Sequence, residues 1–166
     1  MRAIYAAFAR IAEKIPYALT ALACRGAAAV PFWRSGQSKL DGGAIFGVKY
    51  DVLHVKASKI YLFAEQFHFP EKIAPAAAHL AALGENILPP LLIIGFLSRF
   101  AAAGLLVMTA VIQFYVFPGE LLNPNGNWAE HLSWAAPLLV VLSMGPGAIS
   151  ADRLFGGAQK KSTLLS

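Results

Sequence analysis

The chain has 166 residues, a length suited to one domain, and is 57% hydrophobic and only 14% charged. Soluble domains carry roughly 25% charged residues, so the composition points to a bilayer rather than to water. The net charge of +5 comes from dispersed cations without a basic-aromatic groove pattern, which excludes nucleic acid as a partner. A single cysteine, Cys24, excludes an internal disulfide and any CxxC redox chemistry.

Residues 1–15 place Ile4, Phe8, Ile11 and Ile15 at helical spacing, with Arg2, Arg10, Glu13 and Lys14 elsewhere. That pattern predicts a short helix lying on the membrane surface. A first span is expected over 17–36. Its "ALAC" stretch has the look of a signal cleavage site, but Arg25 follows at once and the apolar run resumes, so the segment is read as retained. A polar segment over 37–73 follows. "AIFGVKYDVLHVK" alternates enough for short strands, and "ASKIYLFAEQFHF" reads as an amphipathic helix ending before Pro70.

Further spans are expected over 74–97, 99–118 and 129–149. Residues 74–98 hold one formal charge, Glu85, and residues 100–119 hold none; apolar runs of about 20 residues suit a bilayer crossing. The "GELLNPNGN" stretch between the last two spans is rich in turn formers. The expected fold is therefore all-α: one integral membrane domain over 1–166, a four-helix transmembrane bundle with an extracytoplasmic segment between helices 1 and 2.

Orientation follows from Lys and Arg near the span ends. Arg2, Arg10, Lys14, Arg99, Arg153, Lys160 and Lys161 fall on one side. Arg34, Lys39, Lys49, Lys56, Lys59 and Lys72 fall on the other, spread along one longer segment. The bias places both termini in the cytoplasm of a bacterial or archaeal cell, in a multi-pass inner-membrane topology.

Two charges fall inside spans. With a rise of about 1.5 Å per residue, Arg25 lies roughly 12 Å in from the Tyr17 edge. Glu85 lies roughly 14 Å from the same face. Each alone is costly in hydrocarbon, so an intramembrane Arg25–Glu85 ion pair is expected, with a structural role weighed equally against a functional one. Pro89 and Pro90 deprive the carbonyls of Glu85 and Asn86 of their helical donors, and such carbonyls must face protein or water. A second polar set, His79, Gln113, His131 and Trp134, comes from three helices at similar depth near the outer side. It predicts a small-molecule headgroup pocket, with Lys39 and Arg34 able to contact an anion. His79 and His131 could also be read as heme ligands, but their depths differ by about 5 Å. No carboxylate–histidine spacing supports a metal site.

Several stretches resemble the DoxX family of membrane proteins: "FWRSGQSKL", the glutamate of span two followed by "LPPLLIIGFLSRFAAAGLLVMTAVIQFYVFP", and "HLSWAAPLLVVLSMGPGAISAD". The resemblance covers residues 17–155 and implies a four-helix membrane bundle. It carries the family's charged and polar positions onto Arg25, Lys39, Glu85, Arg99, Gln113, His131 and Asp152. The "GELLNPNGNWAEH" loop is longer than the family's usual one. The resemblance implies a quinone-linked or redox-associated membrane subunit, like that of an archaeal thiosulfate:quinone oxidoreductase. Quinone is then the implied cofactor, the bilayer and a redox protein on the outer face the implied partners, and a homo-oligomer the implied assembly. No flavin, iron–sulfur or heme motif is present, so electrons would come from a partner. A non-enzymatic accessory or assembly subunit and a small-molecule or lipid transporter are the competing readings.

Overall fold

The computed structural model describes Tyr5, Glu13, residues 15–120, Asn123 and residues 125–156. The expected surface helix over 1–15 lies almost wholly outside the described residues. Among those described, helix dominates. The elements are α1 (Tyr17–Lys39), β1 (Ala44–Ile45), β2 (Val48–Lys49), α2 (Ala57–Glu65), α3 (Ala74–Ile94), α4 (Ser98–Val111), α5 (Trp128–Met144) and α6 (Ala151–Gly156). A π-helical turn, Ile112–Val116, continues α4. Among the described residues, two helices are long and apolar enough to cross a membrane, Ala74–Ile94 and the continuous Ser98–Val116. α5 has 17 residues, and α1 carries Arg25, Arg34 and Lys39 within its length.

The helix ends follow local chemistry. Gly95 adopts φ 78 and closes α3 with its N–H on the carbonyls of Leu91 and Leu92, a left-handed cap that glycine takes without penalty. Gly145, at φ 88, ends α5, and Pro146 prevents its continuation. The span expected to reach residue 149 therefore stops earlier. The segment Gly145–Asp152 turns back across the ends of α3 and α4. Asp152 there accepts the N–H groups of Leu97 and Ser98 at 2.7 and 2.9 Å. It thereby caps a helix start that has no side-chain cap of its own.

α1 packs on α3 and α5, and α4 packs on the same two, so the four long helices close a ring of contacts. The core between them is built from small and branched residues: Ala28, Ala29, Phe32, Leu92, Ala101, Ala102, Leu105, Leu138 and Val141. In a membrane, such small residues let helix backbones approach closely. The polar segment is structured as well. β1 and β2 form a tight antiparallel hairpin, with Ala44 opposite Lys49. Leu40 bridges to Val55. α2 then lays Phe63 against Ala74 and Ala78 at the start of α3. Thus α1 covers only part of α3, and α2 covers much of the remainder.

Gly36 marks the closest approach of α1 and α3. A Cβ there would lie 2.8 Å from the carbonyl carbon and oxygen of Glu85 and 2.7 Å from Asn86 Nδ2. Backbone must then move. Gly36→Ala is expected to destabilise the protein by about 1–3 kcal/mol, as overpacking does. Thermal unfolding in mild detergent measures this; an unchanged midpoint would mean that the helices are not pressed together at this point.

Candidate functional site

Glu85 is buried on α3 at 4% exposure, and its partner is Lys39, from the last turn of α1. Lys39 Nζ also donates to Ser35 Oγ at 2.7 Å, one turn earlier on the same helix. Beside this pair, Gln37 Nε2 donates to Asn86 Oδ1 at 2.8 Å and to the Lys49 carbonyl at 3.1 Å. Gln37 Oε1 accepts the Lys49 N–H at 2.7 Å. Asn86 Nδ2 completes the set on the Ala82 carbonyl at 2.7 Å. Two adjacent sets of bonds therefore join α1 to α3, and the second, through Gln37, ties in the hairpin.

This overturns the expected Arg25–Glu85 pair. Arg25 is 1% exposed, but its Nη2 donates to the carbonyl of Ile149. A Cβ on Gly95 would overlap its guanidinium. The antiparallel register set by Gly36 places Lys39, not Arg25, beside Glu85. Arg25 sits 14 residues down α1 from Lys39, about 21 Å along the axis. The depth argument failed because α1 and α3 are staggered: the first turns of α3 extend past the end of α1 and are covered by α2. Nε and Nη1 of Arg25 have no hydrogen-bond partner among the described residues.

Of the expected outer set, the fold brings three residues together. His131 Nδ1 lies 2.7 Å from Gln113 Oε1. Gln113 Nε2 donates to the Phe117 carbonyl at 3.3 Å, which leaves the amide oxygen facing the imidazole. An amide oxygen only accepts, so Nδ1 of neutral His131 carries the proton and Nε2 has the lone pair. Rings flank the imidazole, with centroid separations of 5.2 Å to Trp134 and 6.0 Å to Phe117. Phe32 of α1 meets Trp134 edge-on at 5.4 Å. His131 and Gln113 are 5% and 6% exposed. Gln113 reaches this place from the π-helical turn, closed by the Phe117 N–H on the Ile112 carbonyl at 3.0 Å. Wide turns of this kind occur frequently at functional sites.

His79 does not join them. Its Nδ1 hydrogen-bonds the Pro75 carbonyl of its own helix at 2.7 Å. Lys39 is held by Glu85 and Ser35. A separate shallow cleft of about 410 Å³ runs between the end of α1 and the hairpin, lined by Trp33, Arg34, Gln37, Gly47 and Lys49 among others. Gln37 and Asn86 were not legible as site residues. The adjacent small pair Ser35–Gly36, which permits close helix contact, is the one local signal for them. No group of His, Cys, Asp and Glu among the described residues could hold a metal ion.

Among the described residues the chain is mainly helical, has two apolar helices of membrane length and buries a Lys39–Glu85 pair between α1 and α3, features that fit a membrane protein. It belongs to the DoxX family, whose pattern matches residues 20–118. The chain is 32% identical over 93 residues to an uncharacterized protein of Haemophilus influenzae, a match covering 54% of this chain and 62% of that relative. The chain thus spans less than two thirds of the relative's length. No solved structure matches. The family match includes Arg25, Lys39, Glu85 and Gln113, while His131, Trp134 and Asp152 lie beyond it.

Two outcomes follow from this geometry. Removing one partner of a buried ion pair leaves an uncompensated charge, at about 3–5 kcal/mol. Lys39→Met is therefore expected to destabilise strongly, and adding Glu85→Leu to recover much of the loss. Arg25→Ala and Glu85→Ala should instead be additive within about 0.5 kcal/mol, as separated sites are. Unfolding in detergent reads both cycles, and strong Arg25–Glu85 coupling would contradict this register.

The second outcome concerns Asp152. Burial pushes its carboxyl up, but the Ser98 and Leu97 N–H groups and the Arg25 guanidinium together hold it below the ordinary carboxylate range. A lowered folded-state pKa contributes stability that is full above the unfolded value, about 3.9, and lost as pH falls through the folded value. Asp152→Asn is expected to lower the unfolding midpoint near neutral pH and to flatten its fall below about pH 4. Parallel profiles for the two proteins would disprove the cap.

Proposed function

We propose that this DoxX-family protein is a four-helix transmembrane subunit that binds a small redox molecule of quinone type beside His131. α1 and α5 would cross the bilayer with the two apolar helices, both termini lying on the cytoplasmic face. The observation that carries the reading is the buried His131–Gln113 pair between Trp134 and Phe117 on a π-helical turn. Aromatic faces suit a flat headgroup. His131 Nε2, as the lone-pair nitrogen, can accept a hydrogen bond from a hydroquinone hydroxyl, and a protonated ring can donate to a quinone carbonyl. The resemblance to membrane subunits of quinone-linked oxidoreductases supports the same reading.

The chemistry assigned to this chain is binding, orientation and proton exchange at His131. Electrons would pass to or from a redox partner protein. The Lys39–Glu85 pair and the Gln37–Asn86 bond hold α1 against α3 and so fix the position of Phe32 behind Trp134.

Binding of a short-chain ubiquinone analogue to the purified protein, followed by titration calorimetry, tests this. Loss of one hydrogen bond is worth about 1 kcal/mol, so His131→Ala and Gln113→Ala are each expected to weaken binding roughly fivefold or more. Lys72→Gln, at an exposed position away from the rings, should not. Absence of quinone binding by the wild-type protein, or undiminished binding by both variants, would sink the reading.

A further inference from the structure

The segment between α1 and α2 carries apolar side chains that nothing among the described residues covers. Ile45 is 61% exposed, Phe46 102%, Tyr50 61% and Leu53 67%. Phe46 is also held at φ 50, a left-handed conformation that is strained for a bulky residue. The chain thus holds an aromatic side chain at the hairpin tip, in an unfavourable conformation, without burying it.

The hairpin is fixed in position by the helices. Its β2 strand is fastened to Gln37, and Gln37 to Asn86. Asn86 lies 12 residues into α3, about 18 Å from the helix start. The hairpin is therefore held against the side of an apolar, membrane-length helix rather than beyond its end.

The cleft between this hairpin and α1 has the opposite chemistry. Arg34 lines it and is exposed, with no ion pair among the described residues. Lys49 lines it too, with its Nζ on the Leu40 carbonyl at 2.6 Å. Burial, and then the neighbouring Lys56 ammonium, hold the Lys49 pKa below its ordinary value. Arg34 and Lys49 thus bring two cationic side chains to one cleft. Of the nearby acids, Asp51 pairs with His54 at 2.6 Å, while Asp41 accepts the Gly42 N–H at 3.1 Å and also acts on the Lys49 ammonium. No acid is among the described residues that line the cleft. An anionic group beside hydrocarbon is the chemistry of a phospholipid.

We propose that the cleft lined by Trp33, Arg34 and Lys49 binds the phosphate headgroup of an anionic phospholipid, whose acyl chains cover Ile45 and Phe46. The site is distinct from His131 and stands or falls independently of quinone binding.

The test is native mass spectrometry of the full chain in mild detergent, titrated with phosphatidylglycerol and with phosphatidylcholine of matched acyl chains. Phosphatidylglycerol is expected to be retained preferentially. Each cation near an anionic lipid contributes a factor of about five, so Arg34→Gln should weaken retention about fivefold and Arg34→Gln/Lys49→Gln about 30-fold. Phe46→Ser should weaken retention of both lipids. Unchanged thermal unfolding of Arg34→Gln confirms that the fold is kept, and His131→Ala should retain full lipid selectivity. Equal retention of the two lipids, or an Arg34→Gln variant that binds like wild type, overturns the proposal. So does glycerol 3-phosphate binding as tightly as the lipid, which would make this a soluble-anion site. Photo-crosslinking from position 46 in native membranes that captures a protein rather than lipid would likewise overturn it.

Discussion

The contact on which the rest of this structure depends is the buried meeting of α1 and α3 at Gly36, Lys39 and Glu85. A carboxylate inside a span must be compensated, and here an ammonium from the last turn of the neighbouring helix does so. The pair requires the helices to be close, and Gly36 allows that closeness by presenting no side chain to the Glu85 carbonyl. That carbonyl lacks its usual helical donor because Pro89 follows four residues later. One position thus combines a small residue, a freed carbonyl and a charge pair, and together they fix the register of two helices.

Everything nearby inherits that register. Gln37, two residues after Lys39's partner Ser35, reaches both Asn86 and the hairpin backbone, so the polar segment is attached to the helices rather than trailing from them. At the far end, the same register brings Arg25 level with Gly95 and the returning segment that leads to Asp152. The two buried cations of α1 therefore have different duties. Lys39 neutralises a carboxylate, while Arg25 anchors the Ile149 carbonyl beneath a segment whose Asp152 caps α4. Neither is placed beside the His131–Gln113 pair, which is assembled by the contact of α4 with α5 and backed by Phe32 of α1.

Much of this was legible from residues alone. The four apolar segments begin within a residue of where they were expected, because composition and helical periodicity are local properties. The hairpin and the amphipathic α2 were legible for the same reason, from alternation in one stretch and spacing in the next. The grouping of Gln113, His131 and Trp134 was also anticipated, since all three lie near the ends of helices joined by one loop, where depth is a good guide to proximity. His79 was misgrouped: similar depth says nothing about which way a helix faces, and its imidazole bonds to its own helix.

The sequence by itself determined the class of the protein, its helices and the chemistry of its buried groups. A charge deficit and long apolar runs cannot be satisfied in water, and isolated charges within them demand partners. Only the tertiary structure decided which partner each charge takes. That choice depends on the stagger between α1 and α3, which arises from the close approach at Gly36 and from α2 covering the part of α3 that α1 leaves bare. Both are long-range packing effects, and neither leaves a periodic mark on the chain.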